Sequence, residues 1–176
     1  MTEGHPANRR IDRIRDPRFV EGIAEQPLGE VRARRDECKA ESEYLSLLRR
    51  LVQGRVEILK AELAGRADHD QRPLVDRLSE ILASDEPATS RGEAMHLALP
   101  EEEMSLARRR VERLVADAGI SDPTELDDDR LRSAVEVFTG EEIEVSAQRS
   151  DVLRVLDALQ DELKRRYKED PTLALS

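Results

Sequence analysis

A chain of 176 residues with a formal net charge of −10, 39% charged residues and only 2% aromatic residues lacks the bulk for a thick globular core. That composition favours long helices that bury a narrow Leu/Val seam and solvate the rest, and without alternating β-branched runs it excludes a sheet-built fold. The acidic balance disfavours direct binding to nucleic acid and favours a basic target surface. Arginine still clusters at Arg9, Arg10, Arg13, Arg15 and Arg18, and again at Arg108, Arg109 and Arg110, so local sites for a phosphate or carboxylate remain.

In chain order, residues 1–9 read as a disordered tail and 10–176 as a single helical domain. From Arg10 to Val31, Ile11, Ile14, Phe19, Val20, Ile23 and Leu28 mark a short docking element punctuated by Pro17 and Pro27. A long helix is predicted over about 30–65, because Leu45, Leu48, Val52, Val56, Leu59 and Leu63 recur at three- and four-residue steps, and Gly65 reads as its stop. Pro73 opens a shorter helix, residues 84–94 read as a loop, and Pro100 with Glu101, Glu102 and Glu103 starts a helix that reaches about Ala118 before Gly119. A short helix from Asp127 to Phe138 follows. The last long helix, about 139–168, begins where Thr139 and Glu142 have capping-box spacing, with Val145, Val152, Leu156, Leu159 and Leu163 as its seam. The expected fold is all-α: two long antiparallel coiled-coil helices bracketing an insert of shorter helices at about 70–138.

The two long helices repeat one another. Offset by 100 residues and without gaps, Ser46, Arg49, Val52, Leu59, Glu62, Leu63 and Arg66 meet identical residues at Ser146, Arg149, Val152, Leu159, Glu162, Leu163 and Arg166. Seams alone account for the Leu and Val matches but not for a Ser and an Arg three apart on the polar side. One stripe reads Ser42, Ser46, Arg49, Gln53, Glu57; the other reads Glu142, Ser146, Arg149, Leu153, Asp157. At roughly 100° per residue each stripe stays within an arc of about 80°.

Such a stripe suits guanine and phosphate. An arginine donates two parallel bonds to guanine O6 and N7 or to a phosphate, and a carboxylate accepts from the guanine N1–H and amino group. Two stripes side by side fit a ligand with two guanines and two phosphates. Gly54 adds a mid-helix glycine, which costs about 1 kcal/mol relative to Ala and often marks close approach. The same side chains also suit a solvated face with intrahelical Arg–carboxylate pairs, each stabilising by a few tenths of a kcal/mol.

Other chemistry is missing. His5, His69 and His96 lack metal-ligand spacing, Asp127, Asp128 and Asp129 lack the glycine and distal glutamate of a calcium loop, and no phosphate-cradling glycine loop or nucleophile–base pair occurs. Cys38 stands alone, so no internal disulfide or cysteine-rich metal site can form. No apolar run has signal-peptide or membrane-spanning length, and the expectation is a cytoplasmic, non-enzymatic protein without membrane association or metal.

The segments RIDRIRDP, PLGEVRARR, LSLLRRLVQGRVEILKAEL and EVSAQRSDVLRVLDALQDEL resemble the RsiG family of actinobacterial anti-sigma factors, formerly labelled aerial mycelium formation proteins. The resemblance covers about residues 9–66 and 139–168. It implies a signature E-x3-S-x2-R-x3-Q-x3-D on antiparallel helices that binds cyclic di-GMP, two molecules lying between the protein and a WhiG/FliA-type sigma factor held away from late-sporulation or related genes. Carried over residue by residue, the ligand-binding set is Ser42, Ser46, Arg49, Gln53 and Glu57 with Glu142, Ser146, Arg149 and Asp157. Ser42 stands where the signature has Glu, Glu57 where it has Asp, and Leu153 where it has Gln. Two copies on one chain resemble the monomeric form of the family. The competing reading is a non-catalytic coiled-coil adaptor with no nucleotide ligand.

Overall fold

The computed structural model describes residues 6–70, 72–84 and 99–175, and side chains over 10–70, 72–79 and 99–174. Among these residues all regular structure is helical: α1 (Pro6–Arg15), α2 (Leu28–Ala67), α3 (Leu74–Ser84), α4 (Glu101–Asp117) and α5 (Asp128–Glu169), with 3-10 turns at Pro17–Phe19, Pro123–Glu125 and Pro171–Leu175. The fold is all-α.

Several boundaries differ from expectation. Residues 6–9 belong to α1 rather than to a disordered tail, while residues 1–5 lie outside the described residues. The short helix expected at 127–138 and the long one at 139–168 are a single helix, α5. Its seam explains this, since Leu131, Ala134, Phe138, Val145 and Val152 are all buried at three-, four- and seven-residue steps. The N-cap is Asp127, whose carboxylate accepts from the Arg130 amide at 2.8 Å. Thr139 and Glu142 therefore sit inside the helix, and the insert of shorter helices reduces to α3 and α4. The loop expected at 84–94 falls, beyond Ser84, outside the described residues.

The stop of α2 is His69, not Gly65. His69 takes φ 55°, its amide bonds Arg66 O at 3.2 Å and the Asp70 amide bonds Gly65 O at 2.8 Å, a Schellman ending. Gly119 ends α4 in the same way: at φ 63° its amide reaches Ala116 O at 3.0 Å, and the Ile120 amide reaches Val115 O at 3.1 Å.

The chain divides into two compact units, one comprising Met1–Ser46 with Val145–Ser176 and the other Leu47–Glu144. In the first unit α1 packs Ile11 and Ile14 into a core with Phe19, Val31, Cys38, Leu45, Val152 and Leu159. Arg32 donates to the Tyr167 hydroxyl at 3.0 Å and Arg149 to Ser46 Oγ at 2.8 Å, so α2 and α5 run antiparallel here. In the second unit α4 brings Ala107 and Val111 against Leu131, Phe138, Val52, Val56 and Leu59 as the buried set. Gln53 meets Glu142 at 2.6 Å and Arg66 meets Asp128 at 3.0 Å, the same antiparallel sense.

The units repeat one another at the offset of 100. Arg10–Glu41 in the first corresponds to Arg110–Glu141, 2.7 Å, in the second. Arg166 pairs with Glu162 at 2.6 Å and caps the carbonyls of Ile23, Ala24 and Gln26 ahead of α2. Arg66 pairs with Glu62 at 2.9 Å and caps those of Pro123, Thr124 and Leu126 ahead of α5. Each long helix thus ends on an arginine that fixes the turn feeding the other long helix. Glu41 is only 1% exposed, and its pairing with Arg10 offsets the cost of burying that carboxylate.

Candidate functional site

The stripe residues occur in both units. In the first, Ser46 is buried, donates to Ser42 O at 2.7 Å and accepts from Arg149 Nε at 2.8 Å. That bond engages Nε, and among the described residues the two terminal nitrogens of Arg149 have no partner. Ser42 Oγ donates to Lys39 O at 2.9 Å. One turn along both helices from Ser46 and Arg149, Ser42 and Leu153 share a level. Asp157 is exposed with no ion pair among the described residues.

In the second unit Gln53 Nε2 donates to Glu142 Oε1 at 2.6 Å, so the amide and carboxylate of the signature meet from opposite helices. Arg49 is half-buried and has no carboxylate partner among the described residues. Glu57 is exposed, likewise unpaired among them. The structure therefore brings together Ser46 with Arg149 and Gln53 with Glu142; it does not bring Glu57 or Asp157 to a partner, and Ser146 contributes its carbonyl, which accepts from Ser150 Oγ at 3.0 Å.

The register gives the departures from the signature a pattern. Under the 100-residue repeat the equivalents of Gln53 and Glu142 are Leu153 and Ser42. Both departures at the Glu and Gln positions thus belong to one level, in the first unit, while the second unit keeps the pair intact. Gly54 is exposed, and a Cβ there would meet nothing within 4 Å.

Sequence reasoning missed the residues that hold the stripes in register. Arg66 is held protonated more firmly than usual by Glu62 and then Asp128. Glu162 is held near a pKa of about 2 by its bonds from Arg165 and Arg166. The signal was present, because the repeat continues upstream: Arg9-Arg10-Ile11-Asp12-Arg13-Ile14 matches Arg109-Arg110-Val111-Glu112-Arg113-Leu114 at the same offset.

Antiparallel helices that carry facing polar side chains above a Leu/Val seam define a helical binding scaffold. A model of the RsiG-like family matches residues 17–82, a stretch that holds the whole first stripe. The second stripe is tied to the first by the internal repeat. No curated protein matches the chain. Among the described residues no helix is long and apolar enough to cross a membrane.

Proposed function

We propose that this chain is an anti-sigma factor that binds cyclic di-GMP on its two stripes and, with the nucleotide at the interface, holds a WhiG/FliA-type sigma factor. The observation that carries the reading is the meeting of signature residues from opposite helices, Gln53 with Glu142 in one unit and Ser46 with Arg149 in the other. Arg49 can turn to a guanine or phosphate without breaking an ion pair, and Arg149 can do so through its terminal nitrogens. Glu142 supplies the acceptor that the guanine N1–H and amino group require. A ligand that touches both proteins stabilises the complex, and the two affinities are then coupled reciprocally.

The test is calorimetric titration of cyclic di-GMP into the protein with and without a WhiG-type sigma factor, repeated with Arg49→Ala and Arg149→Ala. Saturable binding near two nucleotides per chain, tightened by the sigma factor and lost in the variants, supports the reading. Absence of heat in both titrations defeats nucleotide control. Variants that fold and bind the sigma factor like the parent, with no nucleotide effect, return the stripes to the adaptor reading.

A further inference from the structure

The repeat supplies an internal comparison for a groove that occurs once in each unit, between the first helix and turn of the copy and its long helix. In the first unit the groove has a volume of about 420 Å³ and its walls are charged and paired. Arg13 pairs with Glu37, and Arg34 pairs with Glu30 at 2.9 Å while its guanidinium lies 5.6 Å from the centre of the Phe19 ring. Asp16 and Arg18 close the rim as a pair at 2.6 Å.

In the second unit the equivalent groove, about 300 Å³, is lined by Ala118, Ala134 and Val137 with Asp129, Arg130 and Ser133 at its edge. At the offset of 100, Val137 replaces Glu37, Ala134 replaces Arg34 and Arg130 replaces Glu30, while Arg113 is kept in the place of Arg13. Of the three ion pairs of the first groove, Arg13–Glu37 keeps its arginine alone, Arg34–Glu30 gives way to Ala134 and Arg130, and Asp16–Arg18 gives way to Ala116 and Ala118, so both acids that faced the groove's arginines are gone. Among the described residues neither Arg113 nor Arg130 has a carboxylate partner, and the nearby Asp129 is engaged by Arg132 at 2.9 Å. Arg109, one turn before Arg113 on α4, is exposed and equally unpaired among them. Val137 is left 51% exposed on the floor.

An apolar floor flanked by unpaired arginines calls for an occupant of complementary build: an apolar side chain with carboxylates beside it. A buried apolar anchor ringed by charge is the usual form of a binding hot spot, and the charge ring sets encounter and register. We propose that this groove seats an acidic, amphipathic segment of the sigma factor, one Leu, Ile or Phe against Val137 and neighbouring Asp or Glu on Arg113 and Arg130. The assignment rests on the anti-sigma reading and deepens it, by placing a protein-to-protein contact apart from the nucleotide stripes.

The experiment titrates the full chain with a WhiG-type sigma factor at saturating cyclic di-GMP, comparing the parent with Val137→Glu and with the double variant Arg113→Glu/Arg130→Glu. Because these side chains are exposed, helicity by circular dichroism and nucleotide binding by the chain alone should stay at parental values. Sigma-factor affinity should fall at least thirtyfold in Val137→Glu and at least tenfold in the double variant. Parental affinity in both, with a parent that binds, overturns the groove and leaves the anti-sigma reading standing. A parent that binds no sigma factor overturns that reading and the groove's named partner with it. Sedimentation of the chain alone completes the test: self-association that Val137→Glu abolishes makes the occupant a second copy and overturns the assignment.

Discussion

Gly54 and Gly65 lie in the same helix, and the structure predicts opposite outcomes for replacing each by alanine. At Gly54 a Cβ meets open space, so Gly54→Ala should gain the helix-propensity difference of about 1 kcal/mol. At Gly65 a Cβ would lie 1.4 Å from Arg77 Nη1 and 2.3 Å from its Cζ, so the guanidinium must leave. Arg77 is buried, donating to Ala61 O and to Glu62 Oε2, each at 2.8 Å. Hydrogen bonds to charged groups contribute roughly 1.5–3 kcal/mol each, so losing both outweighs a propensity gain of at most about 1 kcal/mol. The net loss should be about 2 kcal/mol or more, a fall of about 4–8 °C in melting temperature for a chain of this size. Thermal and urea unfolding followed by circular dichroism at 222 nm reads both. If the clash is the cause, Gly65→Ala/Arg77→Ala should be no less stable than Arg77→Ala alone, because the two changes act on one contact. A Gly65→Ala variant as stable as Gly54→Ala would refute the reasoning.

Phe138, fully buried in the second unit where the first unit has Cys38, should cost about 3–5 kcal/mol as Phe138→Ala, read by the same unfolding curves; a loss below 1 kcal/mol would mean the site collapses freely. Glu162, with its pKa lowered to about 2 by Arg165 and Arg166, gives stability that is complete above its ordinary value of 4.5 and is lost as pH falls from there through 2. Glu162→Gln should flatten the stability-versus-pH curve across that window, and an unchanged slope would assign the acid sensitivity to other carboxylates. Cys38 is buried, and burial, followed by Glu37 and Glu41, pushes its thiol up to about 12. Its alkylation by iodoacetamide at neutral pH, followed by mass spectrometry, should be at least a hundredfold slower in the folded chain than in urea; equal rates would show the core opening readily.

The seam residues of both long helices were readable in the sequence because apolar spacing records burial directly, and Pro100 and Gly119 marked α4 for the same local reasons. Thr139 with Glu142 misled because a capping box competes with the seam on either side. Leu131, Ala134 and Phe138 carry that seam straight through, so tertiary burial overrode a local stop. The stripes were legible as faces of single helices, but their pairing was not. Which residue of α5 faces Gln53 or Ser46 depends on how the antiparallel helices slide, and that is fixed by Arg66 and Arg166 gripping turns some 60 and 140 residues away in sequence. Asp157 fits the signature and Glu57 stands in it for Asp, yet neither meets a partner from the opposite helix among the described residues.

The division of the chain has a consequence for the order in which it is made. The unit Leu47–Glu144 is one uninterrupted stretch, so every residue of its core has been synthesised once Glu144 leaves the ribosome. The other unit joins Met1–Ser46 to Val145–Ser176 and must wait for the last helix, holding Ile11, Ile14, Val31 and Leu45 without their partners in the meantime. Closing so long a loop adds entropy cost only slowly with length, but it delays the contact that rewards it. During translation the segment Met1–Ser46 is therefore protected only after the later-made unit Leu47–Glu144, and nascent chains halted anywhere before Leu159 should present that segment to proteases and chaperones.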